Sequence, residues 1–280
     1  MKQVFFSELY RLLHSWRRWG ISLVVMCAFL YQGIYSYSSE SITSSTSSFL
    51  AYLSALGIGS QAYWVGILPI IATWIAADSF AWDRKTSFVY FYLSRISRIN
   101  YAIGKWCAIQ LFTMCVFLVG LIFCFILSLL KFPIKLPDWR IVKGEYTIYQ
   151  YHQPLSIINP FPVFFHNFFF QHPFMYLLLF SVIIILSACT WSSIGMLFSL
   201  ISSNIYFTLA GSWMVYVIVT AVCAIPIVRL INFSPLVMSG PFLNSFSISP
   251  IWAVIYWLIP IGISLFIFMG TYKMRRDFFD

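Results

Sequence analysis

The sequence predicts an all-α integral membrane protein with six transmembrane helices. Hydrophobic residues make up 61% of the chain and charged residues only 9%, whereas a soluble domain carries about 25% charged residues. The mean hydropathy is +0.85. Several apolar runs reach the roughly 20 residues that a helix needs to cross the hydrocarbon layer. Together these observations indicate a polytopic membrane protein.

The formal net charge is +9, which in a soluble protein would suggest nucleic acid as a partner. A membrane protein acquires the same excess because Lys and Arg are retained in its cytoplasmic loops, so we expect no nucleic-acid partner. The six cysteines all fall inside apolar runs and none forms a C-x-x-C pair. They are interpreted as buried thiols rather than as metal ligands or disulfides.

Residues 1–18 are predicted to form an amphipathic helix that rests in the cytoplasmic interface. Its apolar face consists of Val4, Phe5, Leu9, Leu12, Leu13 and Trp16, and its polar face of Arg11, His14, Ser15 and Arg18. A signal peptide is the alternative, because a basic region precedes an apolar one. The length of the amphipathic segment and the lack of a convincing A-x-A site favour a retained helix.

Three spans follow in the first half of the chain. The first covers residues 19–37 and leads into a polar external loop, 38–48, without Lys or Arg. The second covers 59–81, and Pro69 within it is tolerable if neighbouring groups satisfy the carbonyl that it frees. The third covers 101–130.

A basic segment, 82–100, separates the second and third spans. With its flanking residues it contains Asp78, Asp83, Arg84, Lys85, Arg95, Arg98 and Lys105. Basic residues at the ends of spans mark the cytoplasmic side, so this segment is an internal loop. Its middle mixes aromatic residues with Arg, as expected for an amphipathic helix at the membrane surface.

Residues 131–172 are predicted to form an external cap or surface excursion. Five prolines prevent a continuous helix here. The four basic residues, Lys131, Lys135, Arg140 and Lys143, argue against an external position. The alternation of spans nevertheless requires it.

The fourth span covers 173–200 and the fifth 204–224, with a short uncharged connection between them. Gly195, Ser199 and Ser203 form a small-xxx-small row, a pattern that lets two helices approach closely.

The last part of the chain contains a broken segment and one more span. Residues 226–250 hold four prolines and one charge, and they are interpreted as a broken external hairpin that is re-entrant or lies on the surface. The sixth span covers 251–271, and a basic tail, 272–280, follows.

The distribution of charge favours a topology with both termini in the cytoplasm. In that arrangement 12 of the 17 Lys and Arg residues lie inside. The other five are the basic residues of 131–172 and Arg229.

Motifs of soluble catalysis do not occur in the sequence. It contains no GxxxxGK[ST], HExxH or GxSxG, so we predict no catalytic residue, no bound metal and no phosphate-binding loop. The four histidines are scattered and are interpreted as interfacial side chains. Asp78 lies within the length of a span, where it either contributes to a substrate path or pairs with Arg84 or Lys85.

This order of parts resembles the permease subunits of type-2 ATP-binding-cassette exporters. They share the N-terminal elbow helix, the six spans, a coupling helix between spans two and three, and a broken external hairpin between spans five and six. The local likeness lies in the loop between spans two and three. In the family this loop often contains an acidic residue, then Gly-Thr, then a Leu-Ser-Pro-x-Ser-Arg-like run, and later a Lys. Those places are held by Asp83, Thr86, Leu93, Ser94, Ser97, Arg98 and Lys105, while Lys85 replaces the Gly and Arg95 the Pro.

The resemblance implies a partner and a mechanism. Two permease subunits, identical or different, would pair within the lipid, each seated on one of two separately encoded ATPase subunits. The chain itself would bind no cofactor, since ATP and Mg would be held by the ATPase. The implied contact with the ATPase consists of Asp83, Arg84, Lys85, Thr86, Phe88, Phe91, Tyr92, Ser94, Arg95 and Arg98.

The resemblance also implies a location and a class of cargo. We expect a bacterial cytoplasmic membrane and outward movement of a hydrophobic or cationic substrate, such as an antimicrobial peptide or drug, in export or self-immunity. Two alternatives remain open. One is a self-contained intramembrane lipid-modifying enzyme that uses Asp78 and the external histidines, and the other is a channel or structural membrane anchor.

Overall fold

Apolar runs of the sequence become helices, and the computed structural model describes most of them. It describes residues 2–40, 47–56, 63–76, 79–85, 96–136, 166–202, 204–225, 233–239 and 250–274. Every regular element in these ranges is helical. The elements are α1 (Lys2–His14), α2 (Trp16–Glu40), α3 (Ser48–Ala55), α4 (Tyr63–Ala76), α5 (Ser79–Lys85), α6 (Arg98–Lys131), α7 (His166–Gln171), α8 (Pro173–Ile201), α9 (Ile205–Ala224), α10 (Pro235–Met238) and α11 (Pro250–Met274).

Five of the described helices are long and apolar enough to cross a membrane, namely α2, α6, α8, α9 and α11. Of their apolar windows, that of α8 is 61% buried, against 22% for α11 and 28% for α9. Helix α8 is therefore the centre of the bundle, and α4, α6, α9 and α11 pack around it. The chain is an all-helical, multi-pass membrane protein.

Side-chain contacts fix the directions of the central helices. Gln110 of α6 hydrogen bonds to Ser193 of α8 at 2.8 Å, while Phe125 and Phe174 meet near their other ends with ring centroids 6.3 Å apart. Helices α6 and α8 are therefore antiparallel. Trp191 contacts Tyr216 and Phe198 contacts Phe207, so α9 is antiparallel to α8 as well.

The predicted second span differs most from the structure. Within 59–81 the structure describes α4 and the start of α5, and the apolar stretch of α4, Gly66–Ile75, is only a half-span long. A further helix, α3, was not expected from the sequence. Its eight residues are all buried.

Helices α3 and α5 lie at opposite ends of α6. The Ser48 amide donates to the carbonyl of Pro133, just beyond the end of α6, at 3.1 Å. At the other end, Lys105 donates to the carbonyl of Ser79 in α5 at 3.0 Å. Helices α3, α4 and α5 therefore lie along α6 from one of its ends to the other.

Close packing of α2 against α3 depends on a glycine. A Cβ atom at Gly33 would lie 2.7 Å from the Cα of Ala55. Because two small residues face each other, the two backbones approach more closely than larger side chains would allow.

Helix α10 lies deep in the bundle. Ser239 at its end approaches Ser187, in the middle of α8, with 3.3 Å between the two Oγ atoms. The indole of Trp257 in α11 donates to the carbonyl of Met238 at 2.9 Å. Such short, broken backbone is tolerated at membrane depth only where protein covers it. The remainder of the predicted hairpin 226–250 falls mostly outside the described residues.

Candidate functional site

Four charged side chains from three helices meet inside the protein at the start of α6. They are Glu8 and Arg11 of α1, Asp83 of α5 and Lys105 of α6. The side chain of Lys105 is 0% exposed, that of Asp83 5% and that of Glu8 7%, while that of Arg11 is 34% exposed. We call this group, together with Ser79 and Tyr101, the ion network.

Helical spacing explains why each helix contributes two members. Glu8 and Arg11 are three residues apart, whereas Ser79 and Asp83, like Tyr101 and Lys105, are four apart. Residues at these separations share one face of a helix. The three faces converge, which brings together residues that are up to 97 positions apart in the chain.

The ion pairs run between the helices as well as within α1. Arg11 donates through Nη2 to Glu8 Oε1 and through Nη1 to Asp83 Oδ1, each at 2.6 Å. Lys105 Nζ pairs with Asp83 Oδ2 and lies 3.8 Å from Glu8 Oε2. Each cation therefore contacts both carboxylates, so that removing any one charged group leaves the others unbalanced.

Hydroxyl groups and an aromatic ring complete the coordination. Ser79 Oγ donates to Glu8 and accepts from Arg11, and Tyr101 Oη donates to Asp83. The Lys105 ammonium lies 4.5 Å from the centre of the Phe80 ring, a cation–π distance. Buried polar groups with this many partners avoid the penalty of unmade hydrogen bonds.

The network holds two positive and two negative charges, so its formal charge is zero. Burial by itself raises the pKa of the Asp83 carboxyl, but Lys105 and Arg11 outweigh burial and hold that pKa below its usual range. Burial lowers the pKa of Arg11, but Glu8 and Asp83 outweigh it and the net shift is upward. The surroundings of Asp83 and Arg11 thus favour the charged form of each.

The ion network is suited to holding three helices together. Helix α1 is joined through it to α5 and α6, the two helices that border residues 86–97. Among the described residues, no group of three or more His, Cys, Asp or Glu side chains could hold a metal ion.

Of the predicted contact residues, Asp83 is the one whose surroundings are best defined. It is buried, and it pairs with Arg11 of α1 and Lys105 of α6 in its own chain. Arg98 begins α6 and is half-buried, and Arg84 and Lys85 end α5. The other predicted contacts lie outside the described residues, namely Thr86, Phe88, Phe91, Tyr92, Ser94 and Arg95. Their role as an interface stays a prediction.

Of the remaining predicted residues, some are described by the structure and others are not. Gly195 and Ser199 are buried in α8, where Ser199 Oγ donates to the carbonyl of Met196 at 2.7 Å. Ser203 and Asp78 lie outside the described residues. All six cysteines are free thiols, and Cys115 is exposed on α6 rather than buried as expected.

Sequence reasoning missed three members of the network, Glu8, Ser79 and Tyr101, and it named Lys105 only with the basic segment and the family resemblance, not as a buried partner of Asp83. It also assigned Arg11 to the exposed polar face of α1, whereas Arg11 points to α5. Glu8 carried a usable signal, because it lies four residues from both Val4 and Leu12 on the buried face.

The apolar face of α1 also differs from the predicted one. Leu13, predicted on the apolar face, is 53% exposed, and Phe6 and Tyr10 are exposed with it. Trp16, also predicted on that face, is 66% exposed and begins α2 instead. The reason is that both sides of this helix carry apolar residues, and the ion network decides which side faces the protein.

Comparison with known proteins gives no relative for this fold or site. No protein-family model, curated protein or solved structure matches the chain.

Proposed function

We propose that this chain is the permease subunit of an ATP-binding-cassette exporter and works with a separately encoded ATPase. The five apolar helices support a multi-pass membrane protein, as a permease subunit would be. The proposal adds a sixth crossing, made by α3 and α4 in series with α5 at its cytoplasmic end, and it places both termini and the segment 86–97 in the cytoplasm.

One observation carries the proposal. The ion network joins α1 to the last helix before the segment 86–97 and to the first helix after it. A partner that moves this segment would therefore pull on α5, α6 and α1 together. Coupling of ATP hydrolysis to the spans requires such a connection between a docking loop and the membrane helices, because a flexible loop would absorb the motion.

The mechanism follows from the proposed docking. ATP and Mg bind to the ATPase pair, whose closure moves the segment 86–97. Phe88, Phe91 and Tyr92 would supply contact area in a groove of the ATPase, while Arg95 and Arg98 would set the register. The movement reaches α8 through α5 and α6, which both pack on it, and opens a path between two permease subunits. The cargo is a hydrophobic or cationic molecule.

Hydrolysis of ATP by purified proteins tests the proposal. The chain by itself should show no turnover, and it should form a complex with an ATPase subunit encoded in the same genome whose activity depends on the permease. Robust turnover of ATP or lipid by the single chain would favour the intramembrane enzyme instead. Failure of every ATPase subunit of that genome to bind would favour a channel or an anchor.

Labelling of introduced cysteines tests the orientation. In a chain without its six native thiols, Ser45→Cys should react with an impermeant maleimide from outside, and Ser87→Cys only after the membrane is opened. The reverse pattern would contradict the proposed topology.

A further inference from the structure

Helices α2 and α6 expose a group of polar side chains at the end of the bundle opposite the ion network. The group consists of Tyr31, Gln32 and Tyr35 of α2 and Lys131 of α6, and all four are exposed. The three residues of α2 lie within an arc of about 100° around the helix axis, so they face one side. The Lys131 ammonium lies 5.1 Å from the centre of the Tyr35 ring, a cation–π distance. We call these four residues the tyrosine–lysine cluster.

Buried contacts beneath the cluster hold it in place. Phe132, the neighbour of Lys131, is 8% exposed and packs edge-on against Tyr37 of α2 with ring centroids 5.2 Å apart. The Tyr37 hydroxyl accepts from the Ser47 amide at 3.3 Å, and Ser47 Oγ donates to the carbonyl of Lys135 at 2.6 Å. The end of α6 is thus fixed on α2, which sets the position of Lys131 in advance of any ligand.

The exposed surface changes in character at the cluster. From Ile21 to Ala28 on α2, and from Leu111 to Leu130 on α6, no exposed side chain carries a charge, a hydroxyl or an amide. Such surfaces suit the acyl chains of lipid, whereas Tyr and Lys are typical of the level of the headgroups. The cluster therefore lies at the headgroup level, directly above two apolar surfaces, and Leu130 at its base is 79% exposed.

The cluster offers hydrogen-bond donors and positive charge. Its ammonium, amide and phenol groups all donate, and no described residue accepts a hydrogen bond from Gln32. Of the charged residues that the structure describes at this end, Lys131 and Lys135 are exposed on α6, and Glu40 ends α2 about 7.5 Å beyond Tyr35 along the helix axis. Two positive charges against one negative charge favour an anionic ligand.

We propose that the tyrosine–lysine cluster binds the headgroup of an anionic phospholipid. The phosphate accepts hydrogen bonds from Lys131 and Gln32, and the acyl chains lie on the exposed apolar side chains of α2 and α6. Hydrogen bonds from an ammonium to a phosphate are strong, and a site whose side chains are already in position loses less entropy on binding. The inference does not rest on the proposed ATPase, because it concerns only the contact between this chain and lipid.

Quenching of a fluorescent label by lipid tests the site locally. In a full chain without its six native thiols, bimane is attached at Ile134→Cys, an exposed position beside the cluster. The chain is placed in phosphatidylcholine nanodiscs that hold an equal small fraction of nitroxide-labelled phosphatidylglycerol or nitroxide-labelled phosphatidylcholine. Phosphatidylglycerol should quench with about fivefold higher apparent affinity, as expected for one lysine that faces an anionic lipid.

A second label position is the matched control. Met175→Cys is exposed on α8 at the same end of the bundle, since Phe174 and Phe125 of α6 are in contact there. The two lipids should quench equally at Met175→Cys.

Substitutions assign the preference to individual side chains. Lys131→Gln should abolish the preference for phosphatidylglycerol at Ile134→Cys, while Lys131→Arg should keep it. Lys2→Gln removes one charge at the other end of the bundle and should leave the preference unchanged. Gln32→Leu should weaken quenching by both lipids about threefold, because the amide contacts the phosphate that both share.

Three results would overturn the inference. They are equal quenching by the two lipids at Ile134→Cys, an equal preference for phosphatidylglycerol at Met175→Cys, or a preference that persists in Lys131→Gln. The second of these would show a general attraction of the surface for anionic lipid without a site. If Lys131→Gln does not fold, the comparison of the two label positions decides the question.

Discussion

Lys105 and Asp83 form an ion pair that joins α6 to α5, and neither side chain is more than 5% exposed. A buried pair of this kind contributes little over an apolar pair of the same volume, because both ions have lost their hydration. Its members nevertheless depend on each other strongly. The connection between α1, α5 and α6 is therefore sensitive to the loss of any single charge.

Removal of the Lys105 charge should destabilise the protein severely. Lys105→Met would leave two buried carboxylates facing Arg11 alone, and breaking a buried pair typically costs about 3–5 kcal/mol. The measurement is the free energy of unfolding in detergent micelles, with Lys135→Met, exposed just beyond the end of α6, as the control. The double variant Lys105→Met with Asp83→Asn restores charge balance and should lose less than the sum of the single changes. Additive losses would contradict the pairing.

Acid should remove the contribution of Asp83 to the network only below about pH 4. The pKa of Asp83 is held below its ordinary value of 3.8, since Lys105 and Arg11 face it and Tyr101 donates to it. A lowered pKa in the folded state means that the stabilisation is present above pH 3.8 and disappears as the pH falls through the folded-state pKa. Thermal unfolding in detergent between pH 3 and pH 7 should show this decrease for the natural chain. In Asp83→Asn that contribution should be absent.

Helix α1 should detach locally when Arg11 loses its charge. Arg11→Gln removes the contacts to Glu8 and Asp83, and hydrogen bonds to charged groups are each worth about 1.5–3 kcal/mol. Partial exposure of Arg11 reduces that figure, so we expect amide exchange in residues 2–14 to become roughly tenfold faster. Lys2→Gln, at the exposed start of the same helix, is the control. Unchanged exchange in α1 would show that apolar packing alone holds it.

A methyl group at Gly33 should separate α2 from α3. Its Cβ would lie 2.7 Å from the Cα of Ala55, which is shorter than two non-bonded carbon atoms can approach. Such overpacking costs about 1–3 kcal/mol. Thermal stability of Gly33→Ala in detergent is the measurement. Gly262→Ala on α11 is the matched control, because no atom lies within 4 Å of its added Cβ. Equal stability of the two variants would contradict the close approach of α2 and α3 at Gly33.

Aromatic residues of the segment 86–97 should carry most of the binding to an ATPase. Phe91→Ala and Tyr92→Ala are each expected to weaken the complex by over about 2 kcal/mol, as truncation of a buried aromatic anchor does. Phe123→Ala on the exposed face of α6 is the control and should bind normally. Arg95→Ala and Arg98→Ala should matter less at high salt, since screening shortens the reach of exposed charges. Normal affinity of both aromatic variants would indicate a membrane anchor instead of a docking helix.

The sequence by itself determined the class of the protein and most of its long helices. The fourth span was predicted at 173–200 and the helix is Pro173–Ile201, and the third was predicted at 101–130 and the helix is Arg98–Lys131. These bounds are readable because the thickness of the hydrocarbon layer sets the length of an apolar run, and that signal is local.

Tertiary structure alone decided where the charges go and how the chain passes between α2 and α6. Arg11 and Asp83 are 72 residues apart, and no local pattern links them. Helix α3 has no polar face that would mark it, because all eight of its residues are buried. A buried charge is stable only beside its partner, and which partner it meets depends on how the helices pack, which no single helix contains.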